Sequence, residues 1–209
     1  MALSKRRREE IGRALTHLRR DRRMRALVAR VGPPRFHEYS TVNALDCLVT
    51  SIVSQQLSGK AARSIYRRLR ELDPANFPAP AWLREAPEAD LRGAGLSRAK
   101  VVALRDLGMA LCDGRLEMKR LAHMPDDEAT AALTAVKGVG PWTAQMVLMF
   151  ALGRPDIWPT GDVGIRNALA RFYRLPAPPD AEETAHLGEP WRPYRTYAAW
   201  YLWQSIDEP

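Results

Sequence analysis

The chain reads Val136-Lys137-Gly138-Val139-Gly140-Pro141-Trp142-Thr143-Ala144 at a point where two helical patterns of apolar residues meet. The glycines permit backbone conformations that other residues resist, and Pro141 suits the first position of a following helix. The segment therefore predicts two helices joined by a tight turn. Successive N–H groups at Gly138 and Gly140 would form an anion-binding nest, for which a DNA phosphate is the natural occupant. For the two glycines alone, an ordinary helix cap is the alternative.

Helical patterns extend from this turn in both directions along the chain. Strand-like alternation is nowhere sustained, so we predict an all-α fold. An early helix is predicted to end at Gln55-Gln56-Leu57, and Ser58 is the predicted N-cap of the next. Later helices are predicted from Ser97 to about Cys112, from Asp126 to Val136, from Trp142 to Leu152, from Asp162 to about Tyr173, and from Pro193 to Trp203.

The chain has 209 residues, enough for one large domain or two small ones that share a core. Its net charge of +8 is unevenly placed: residues 1–30 hold 11 Lys and Arg against 3 Asp and Glu, which leaves 21 against 21 in residues 31–209. Such a basic segment can attract a polyanion, or it can be the solvated face of a helix. Both interpretations stay open at the level of sequence.

Composition excludes several classes of protein. No apolar run is long enough for a membrane helix, and no apolar stretch follows the charged N-terminus, so neither a membrane span nor a secretory signal is expected. The two cysteines, Cys47 and Cys112, cannot form a four-thiolate zinc or iron–sulfur site or a disulfide framework. We expect a cytoplasmic protein with reduced thiols.

A second motif follows the hairpin at Pro159-Thr160-Gly161-Asp162-Val163-Gly164-Ile165. The simplest role of Asp162 is that of an N-cap for the next helix. A carboxylate held at a helix start stays ionised and fixed in position, because the helix dipole favours negative charge there. The capping role is therefore compatible with a chemical one.

Three segments together resemble a known family. VKGVGPWTAQMVLMFALGRPDIWPTGDVGIRNAL, from Val136, resembles the helix-hairpin-helix and Gly-Pro-Asp region of the endonuclease III superfamily of DNA glycosylases. SIVSQQLSGKAA, from Ser51, and WRPYRTYAAWYLW, from Trp191, are similar to the alkylbase branch, 3-methyladenine DNA glycosylase II. The resemblance covers about residues 40–205. It implies a base excision repair enzyme that flips an alkylated base, such as 3-methyladenine or 7-methylguanine, out of duplex DNA and hydrolyses its N-glycosidic bond to leave an abasic site.

The resemblance makes Asp162 the catalytic residue. Breaking the N-glycosidic bond develops positive charge on the sugar, as in glycoside hydrolysis, and a fixed carboxylate stabilises that charge. An N3- or N7-alkylated purine is already cationic and departs as a neutral base. One carboxylate is therefore enough, although glycoside hydrolases usually add a second.

The base pocket is also implied by the resemblance. Trp142 and Trp203 occupy family positions that line this pocket, where an electron-rich ring attracts a cationic base. The chain departs from the family at Met146 and Gln204, where the family has aromatic residues. Strand-cleaving members carry a lysine at the place of Trp142, and its amine forms a Schiff base with the sugar. Since tryptophan cannot do so, we expect a monofunctional enzyme without lyase activity.

The remaining site residues follow from the same resemblance. Gln56 is the expected wedge that fills the space of the flipped nucleotide, with Leu57 as the alternative. Main-chain carbonyls of Thr134, Val136 and Gly138 match positions that hold a monovalent cation, Na⁺ or K⁺; no other cofactor and no iron–sulfur cluster is expected. The residues expected to contact DNA phosphate are Lys137, Gly138, Val139, Gly140 and Thr143.

The expected architecture is one helix-hairpin-helix glycosylase domain over residues 1–209, with two helical subdomains flanking a cleft. One lobe is predicted at about 44–136, and the other at 1–40 plus 137–209, without the N-terminal β-domain of larger relatives. The expected partner is double-stranded DNA with alkylated bases, bound by a monomer at the bacterial nucleoid. The alternatives are a non-catalytic helix-hairpin-helix protein that binds damaged DNA, and a helical protein-interaction domain. The preferred base among the alkylated and deaminated ones stays open.

Overall fold

The structure is a computed structural model that describes residues 4–35, 43–73 and 77–207. Throughout these ranges the regular structure is helical and no strand occurs, which confirms the all-α class. The described residues also form a π-helical turn at Val147–Ala151 and a 3₁₀ turn at Glu189–Trp191. The α-helices are α1 (Lys5–Leu18), α2 (Arg22–Val31), α3 (Ala44–Ser54), α4 (Gly59–Leu72), α5 (Pro80–Glu85), α6 (Glu88–Gly93), α7 (Arg98–Cys112), α8 (Met118–Leu121), α9 (Asp126–Thr134), α10 (Pro141–Met146), α11 (Val163–Tyr173), α12 (Ala181–Gly188) and α13 (Arg195–Asp207).

Several of the helices, among them α4 and α11, begin at a side-chain cap. The Ser58 hydroxyl accepts a hydrogen bond from the Ala61 N–H at 3.4 Å, which confirms the predicted start of α4. Asp162 likewise precedes α11 as its N-cap. Each cap satisfies a backbone donor that has no partner within its own helix.

Two helices differ from the sequence prediction. The single helix predicted from Trp142 to Leu152 is an α-helix as far as Met146 and then a π-helical turn, in which the Leu152 N–H donates to the Val147 carbonyl at 3.0 Å. The predicted last helix begins at Arg195 rather than at Pro193. Apolar periodicity does not distinguish one wide turn from the turns around it, so sequence reasoning missed the π-helical segment.

The chain divides into two compact units. The first unit comprises residues 1–41 and 153–209, and the second comprises residues 42–152. The sequence predicts that residues 137–152 lie with the chain termini, whereas the structure groups them with the middle of the chain. The reason is packing, because α10 and the π-helical turn both contact α3. The Sγ of buried Cys47 on α3, for example, lies 3.9 Å from the Met146 carbonyl oxygen.

The second unit has its core around α3 and α7. Leu48 and Ile52 of α3 and Leu104 and Leu107 of α7 are fully buried. Helix α5 packs closely on α7 at Gly108, where an added Cβ would lie 2.6 Å from the backbone nitrogen of Arg84. Burial of these side chains supplies the main driving force for folding of the unit.

The first unit is built around α13, which contacts α2 and α11. Tyr197 and Tyr201 of α13 are fully buried, and their hydroxyls donate to the Glu10 carboxylate at 2.5 Å and to the Gly32 carbonyl at 2.7 Å. Burial raises the pKa of Tyr201 well above its usual range. The basic N-terminal segment therefore packs into this core through its apolar face, and most of its arginines stay exposed.

Among the helices of the described residues, none is long and apolar enough to cross a membrane.

Candidate functional site

The Asp162 carboxylate is held by two nitrogen donors. Its Oδ1 accepts a hydrogen bond from the Ile165 N–H at 2.7 Å and another from the Trp203 indole Nε1 at 3.0 Å. The first bond caps α11, and the second reaches across from α13. Asp162 is half-buried, so its carboxylate is fixed but not sealed inside the protein.

Gly164 allows the Trp203 ring to approach Asp162. A Cβ added at Gly164 would lie 3.0 Å from the Asp162 Oδ1 and 3.2 Å from both Cδ1 and Nε1 of Trp203. Either the ring or the carboxylate would then have to shift. Sequence reasoning placed Trp203 near a base and missed its hydrogen bond to Asp162, because the two residues are 41 positions apart.

The predicted hairpin is present between α9 and α10. Gly138 has φ +75°, and an added Cβ there would lie 2.7 Å from the Ala103 Cβ of α7, so both conformation and space require glycine. Lys137, Gly138 and Gly140 are exposed on this turn. Among the described residues, no hydrogen bond is formed by the N–H groups of Gly138 and Gly140.

Two residues of the predicted phosphate site serve the turn itself. Val139 is buried, and its N–H donates to the Val136 carbonyl at 3.1 Å. Thr143 is 2% exposed, and its hydroxyl accepts a hydrogen bond from Gln55. Both residues shape the hairpin from inside, and their contact with phosphate stays a prediction.

Asp106 on α7 holds the hairpin by a hydrogen bond to its backbone. Its buried carboxylate accepts the Lys137 N–H at 2.8 Å and the Arg115 guanidinium at 3.2 Å. Burial opposes ionisation of Asp106, but the Lys137 hydrogen bond and the Arg115 hydrogen bond and charge outweigh it and lower the pKa of the carboxyl. We did not single out Asp106 from the sequence, because nothing local marks a partner 31 residues away.

Gln55 joins the end of α3 to the hairpin. Its Nε2 donates to the Gly138 carbonyl at 2.9 Å and to the Thr143 hydroxyl at 3.1 Å. Lys100 of α7 in turn donates to the carbonyls of Val53 and Gln55, at 2.6 and 2.9 Å. Desolvation lowers the pKa of the Lys100 ammonium. These bonds satisfy carbonyls that the end of α3 leaves without helical partners.

Gln56 follows directly in a left-handed conformation, with φ +57°. A side chain in this region of backbone space costs energy, on the order of 1 kcal/mol or more. Both Gln56 and Leu57 are exposed, and Leu57 is 39% accessible. The turn that carries the two predicted wedge residues is thus held at its base by Lys100 and Gln55 and open at its tip.

The predicted base-pocket residues fall in both units. Trp142, 37% exposed, and Met146, 6% exposed, lie on α10 in the second unit. Trp203 and Gln204 lie on α13 in the first unit and are half-buried. The structure thus brings Asp162, Gly164 and Trp203 together within one unit, and Gln55, Gly138 and Thr143 together within the other.

A family model described as HhH-GPD superfamily base excision DNA repair protein matches residues 49–193. The chain belongs to this superfamily. The matched region contains the hairpin, Asp162 and the Gln56 turn, and ends within the segment before α13.

Individual relatives agree with this assignment. The chain is 33% identical to YfjP of Bacillus subtilis, over 84% of this chain and 62% of that protein, so it spans less than two thirds of that relative. It is 35% identical to DNA-3-methyladenine glycosylase 1 of Schizosaccharomyces pombe, over 76% of this chain and 70% of the relative. The solved structure of the 3-methyladenine DNA glycosylase Mag1 of Schizosaccharomyces pombe in complex with abasic DNA matches with a TM-score of 0.85 and 31% identity, covering 93% of this chain and 97% of that one.

Proposed function

We propose that the protein is a DNA glycosylase of base excision repair that hydrolyses the N-glycosidic bond of alkylated bases, such as 3-methyladenine and 7-methylguanine, and leaves an abasic site. Support comes from its superfamily and from relatives named for 3-methyladenine glycosylase activity. The observation that carries the proposal is the Asp162 carboxylate, fixed on one oxygen by the Ile165 N–H and the Trp203 indole.

In this mechanism the bond between the sugar carbon and the base nitrogen breaks, and its electron pair leaves with the base. A cationic alkylated purine thereby becomes neutral, while positive charge develops on the sugar. Asp162 stabilises that charge, and a water molecule then adds to the sugar carbon and releases a proton. The two N–H donors hold the carboxylate in a fixed orientation before the reaction begins.

The hairpin would bind the DNA backbone. Exposed Lys137 supplies a positive charge, and the N–H groups of Gly138 and Gly140 supply donors for a phosphate. Carbonyl oxygens are suitable ligands for Na⁺ or K⁺, and in our proposal Thr134, Val136 and Gly138 would hold such an ion, which would screen the phosphate charge. The Gly138 carbonyl already accepts one bond from Gln55, so it would offer its second lone pair. Weaker DNA binding on replacement of K⁺ by a bulky organic cation tests this part.

Gln56 is our proposed wedge. It is exposed, and its strained backbone projects from a turn that Lys100 holds. Gln56→Ala is expected to lower excision from fully paired duplex DNA more than from DNA with a mismatched lesion, where less stacking has to be broken. A larger loss with Leu57→Ala would assign the wedge to Leu57 instead.

We further propose that the enzyme lacks lyase activity. The exposed Trp142 lies at the start of α10, where strand-cleaving relatives carry the Schiff-base lysine. Treatment with borohydride during turnover is therefore expected to trap no covalent complex with DNA, and the product strand should break only on later treatment with alkali. A trapped adduct would show that another amine attacks the sugar.

Asp162→Asn tests the mechanism itself. Asparagine also caps helices, so the fold should persist, while loss of the charge should slow base release about 10²–10³-fold. Asp180→Asn is a matched control, because Asp180 also caps a helix of the same unit, α12, through the Glu183 N–H at 2.8 Å. Excision of 7-methylguanine from methylated duplex DNA measures both variants.

The outcomes separate the candidate functions. If native protein binds damaged DNA and releases no base, the non-catalytic alternative is correct. Near-normal turnover in Asp162→Asn would contradict the assigned role of this carboxylate.

As a DNA repair enzyme, the protein is expected to act as a monomer at the nucleoid, in the bacterial cytoplasm.

A further inference from the structure

A cavity of about 940 Å³ lies in the first unit, away from the chemistry proposed above. It is lined by α2, the end of α11 and Ser205 of α13. Five arginines line it, and we call them the arginine cluster: Arg22, Arg23, Arg30, Arg171 and Arg174. No aspartate or glutamate is among its described lining residues. The cavity therefore concentrates positive charge on one concave surface.

Three of the five arginines form no internal ion pair among the described residues. Arg22, Arg171 and Arg174 are exposed and, among the residues the structure describes, have no carboxylate within 4.0 Å. The guanidinium of Arg23 stacks over the Tyr173 ring at 5.1 Å, which orients it without neutralising it. The neighbouring Asp21 carboxylate caps α2 through the N–H groups of Arg23 and Met24.

Arg174 has a strained backbone conformation. It follows α11 with φ +59° and ψ +44°, a left-handed conformation that glycine normally adopts at the end of a helix. A non-glycine residue is strained there, because its Cβ crowds the neighbouring carbonyl oxygen. Where a glycine would contribute no side chain, this position contributes an arginine to the lining of the cavity.

The spacing of the cluster fits a repeating polyanion better than a single anion. Arg22 and Arg30 are eight residues apart, about 12 Å along α2 at 1.5 Å per residue. One DNA strand carries a phosphate every ~3.4 Å along the helix axis, so this distance spans three or four of them. Asp162 lies at the opposite end of α11, about 16 Å away along an 11-residue helix.

We propose that the arginine cluster binds the phosphodiester backbone of DNA outside the nucleotides that enter the active site. The proposal rests on the proposed function in that it takes DNA as the polyanion. It assigns part of the basic N-terminal segment to DNA binding, and it makes α11 a helix with chemistry at one end and a backbone contact at the other. Such a contact would strengthen binding to undamaged DNA. The protein would then stay bound longer while it moves along DNA in search of lesions.

Two double variants test the proposal, each removing two positive charges. Arg171→Gln/Arg174→Gly alters the cluster, and the glycine relieves the backbone strain, so stability should not fall. Arg6→Gln/Arg8→Gln alters exposed residues of α1 that do not line the cavity. Affinity for an undamaged duplex of several helical turns is measured between 50 and 200 mM salt, the range over which phosphate contacts are lost.

The cluster variant is expected to bind about tenfold more weakly at the middle of this range. The slope of its log affinity against log salt concentration should fall by the equivalent of about one to two phosphate contacts. The α1 variant should stay within about twofold of native protein. The rate of base release at saturating enzyme should be native-like in both variants. Equal weakening in the two variants would mean that overall charge acts, and would overturn the proposal, as would native affinity in the cluster variant.

Two further outcomes identify the ligand and separate this proposal from the enzymatic one. If pyrophosphate binds native protein but not the cluster variant, and duplex affinity does not depend on the cluster, the site takes a free phosphate compound and the DNA assignment is wrong. A slower release rate at saturation would place the cluster in the active site, again contradicting the proposal. Should native protein release no base at all, the enzymatic function fails, whereas the binding comparison still decides the role of the cluster.

Discussion

At the scale of single residues, Gly164 sets the distance between the carboxylate and its indole donor. It lies in the first turn of α11 with no left-handed φ, so its role is space rather than backbone freedom. With only a hydrogen atom at this position, the Trp203 indole has room to donate to Asp162 at 3.0 Å. The geometry of the Asp162 carboxylate thus depends on a residue without functional groups.

Gly164→Ala is expected to slow base release about tenfold or more, since displacement of the donor or the carboxylate weakens stabilisation of the developing charge. Its melting temperature should change little, because the strain of the 3.0 Å contact offsets the preference of a helix for alanine over glycine, which is about 0.8–1 kcal/mol. Gly161→Ala is the matched control, as a Cβ there meets nothing within 4 Å. Single-turnover excision and thermal unfolding check both variants, and full activity in Gly164→Ala would mean that the Trp203 bond is dispensable.

At the scale of elements, the hairpin is held by α3 and α7 rather than by its own glycines. Asp106 of α7 takes the Lys137 N–H, and Gln55 at the end of α3 donates to the Gly138 carbonyl. Lys100 links the same two helices through the Gln55 carbonyl. The hairpin and the Gln56 turn therefore share supports, so a change in α7 is expected to affect both.

Asp106→Asn should destabilise the protein by about 1–2 kcal/mol at neutral pH, because a charged acceptor is lost from two hydrogen bonds. The folded-state pKa of Asp106 is lowered, so its stabilisation is present above the unfolded-state pKa of about 3.9 and disappears as the pH falls through the folded-state pKa. The difference in melting temperature between native and variant should accordingly shrink in acid. Exposed Asp113→Asn, at the end of the same helix, serves as control; an Asp106→Asn difference that is unchanged at low pH would exclude this linkage.

At the scale of the whole molecule, residues from both ends of the chain form one unit. Leu18 of α1 and Met24 of α2 are fully buried, and the Tyr201 hydroxyl on α13 bonds to the Gly32 carbonyl. The basic N-terminal segment thus contributes buried side chains to the core of the unit that contains Asp162, in addition to the charge that it presents.

Leu18→Ala is expected to cost about 2–5 kcal/mol of unfolding free energy, as for other fully buried leucines. Arg8→Ala, on the exposed face of the same helix, should cost less than about 0.5 kcal/mol. Urea unfolding of the two variants compares them directly. Equal free energies of unfolding for the two variants would show that α1 does not contribute to the core of the unit.

Local patterns in the chain were sufficient for the helical class, the hairpin around Gly138, the Ser58 cap and the position of Asp162 at a helix start. These features depend on residues within about one or two helical turns of one another, where period and capping chemistry act. The Asp106 anchor, the Gln55 bridge, the Trp203 donor and the unit to which residues 137–152 belong were decided only by tertiary structure. Their partners are tens of residues apart, and only packing of the helices determines which side chains meet.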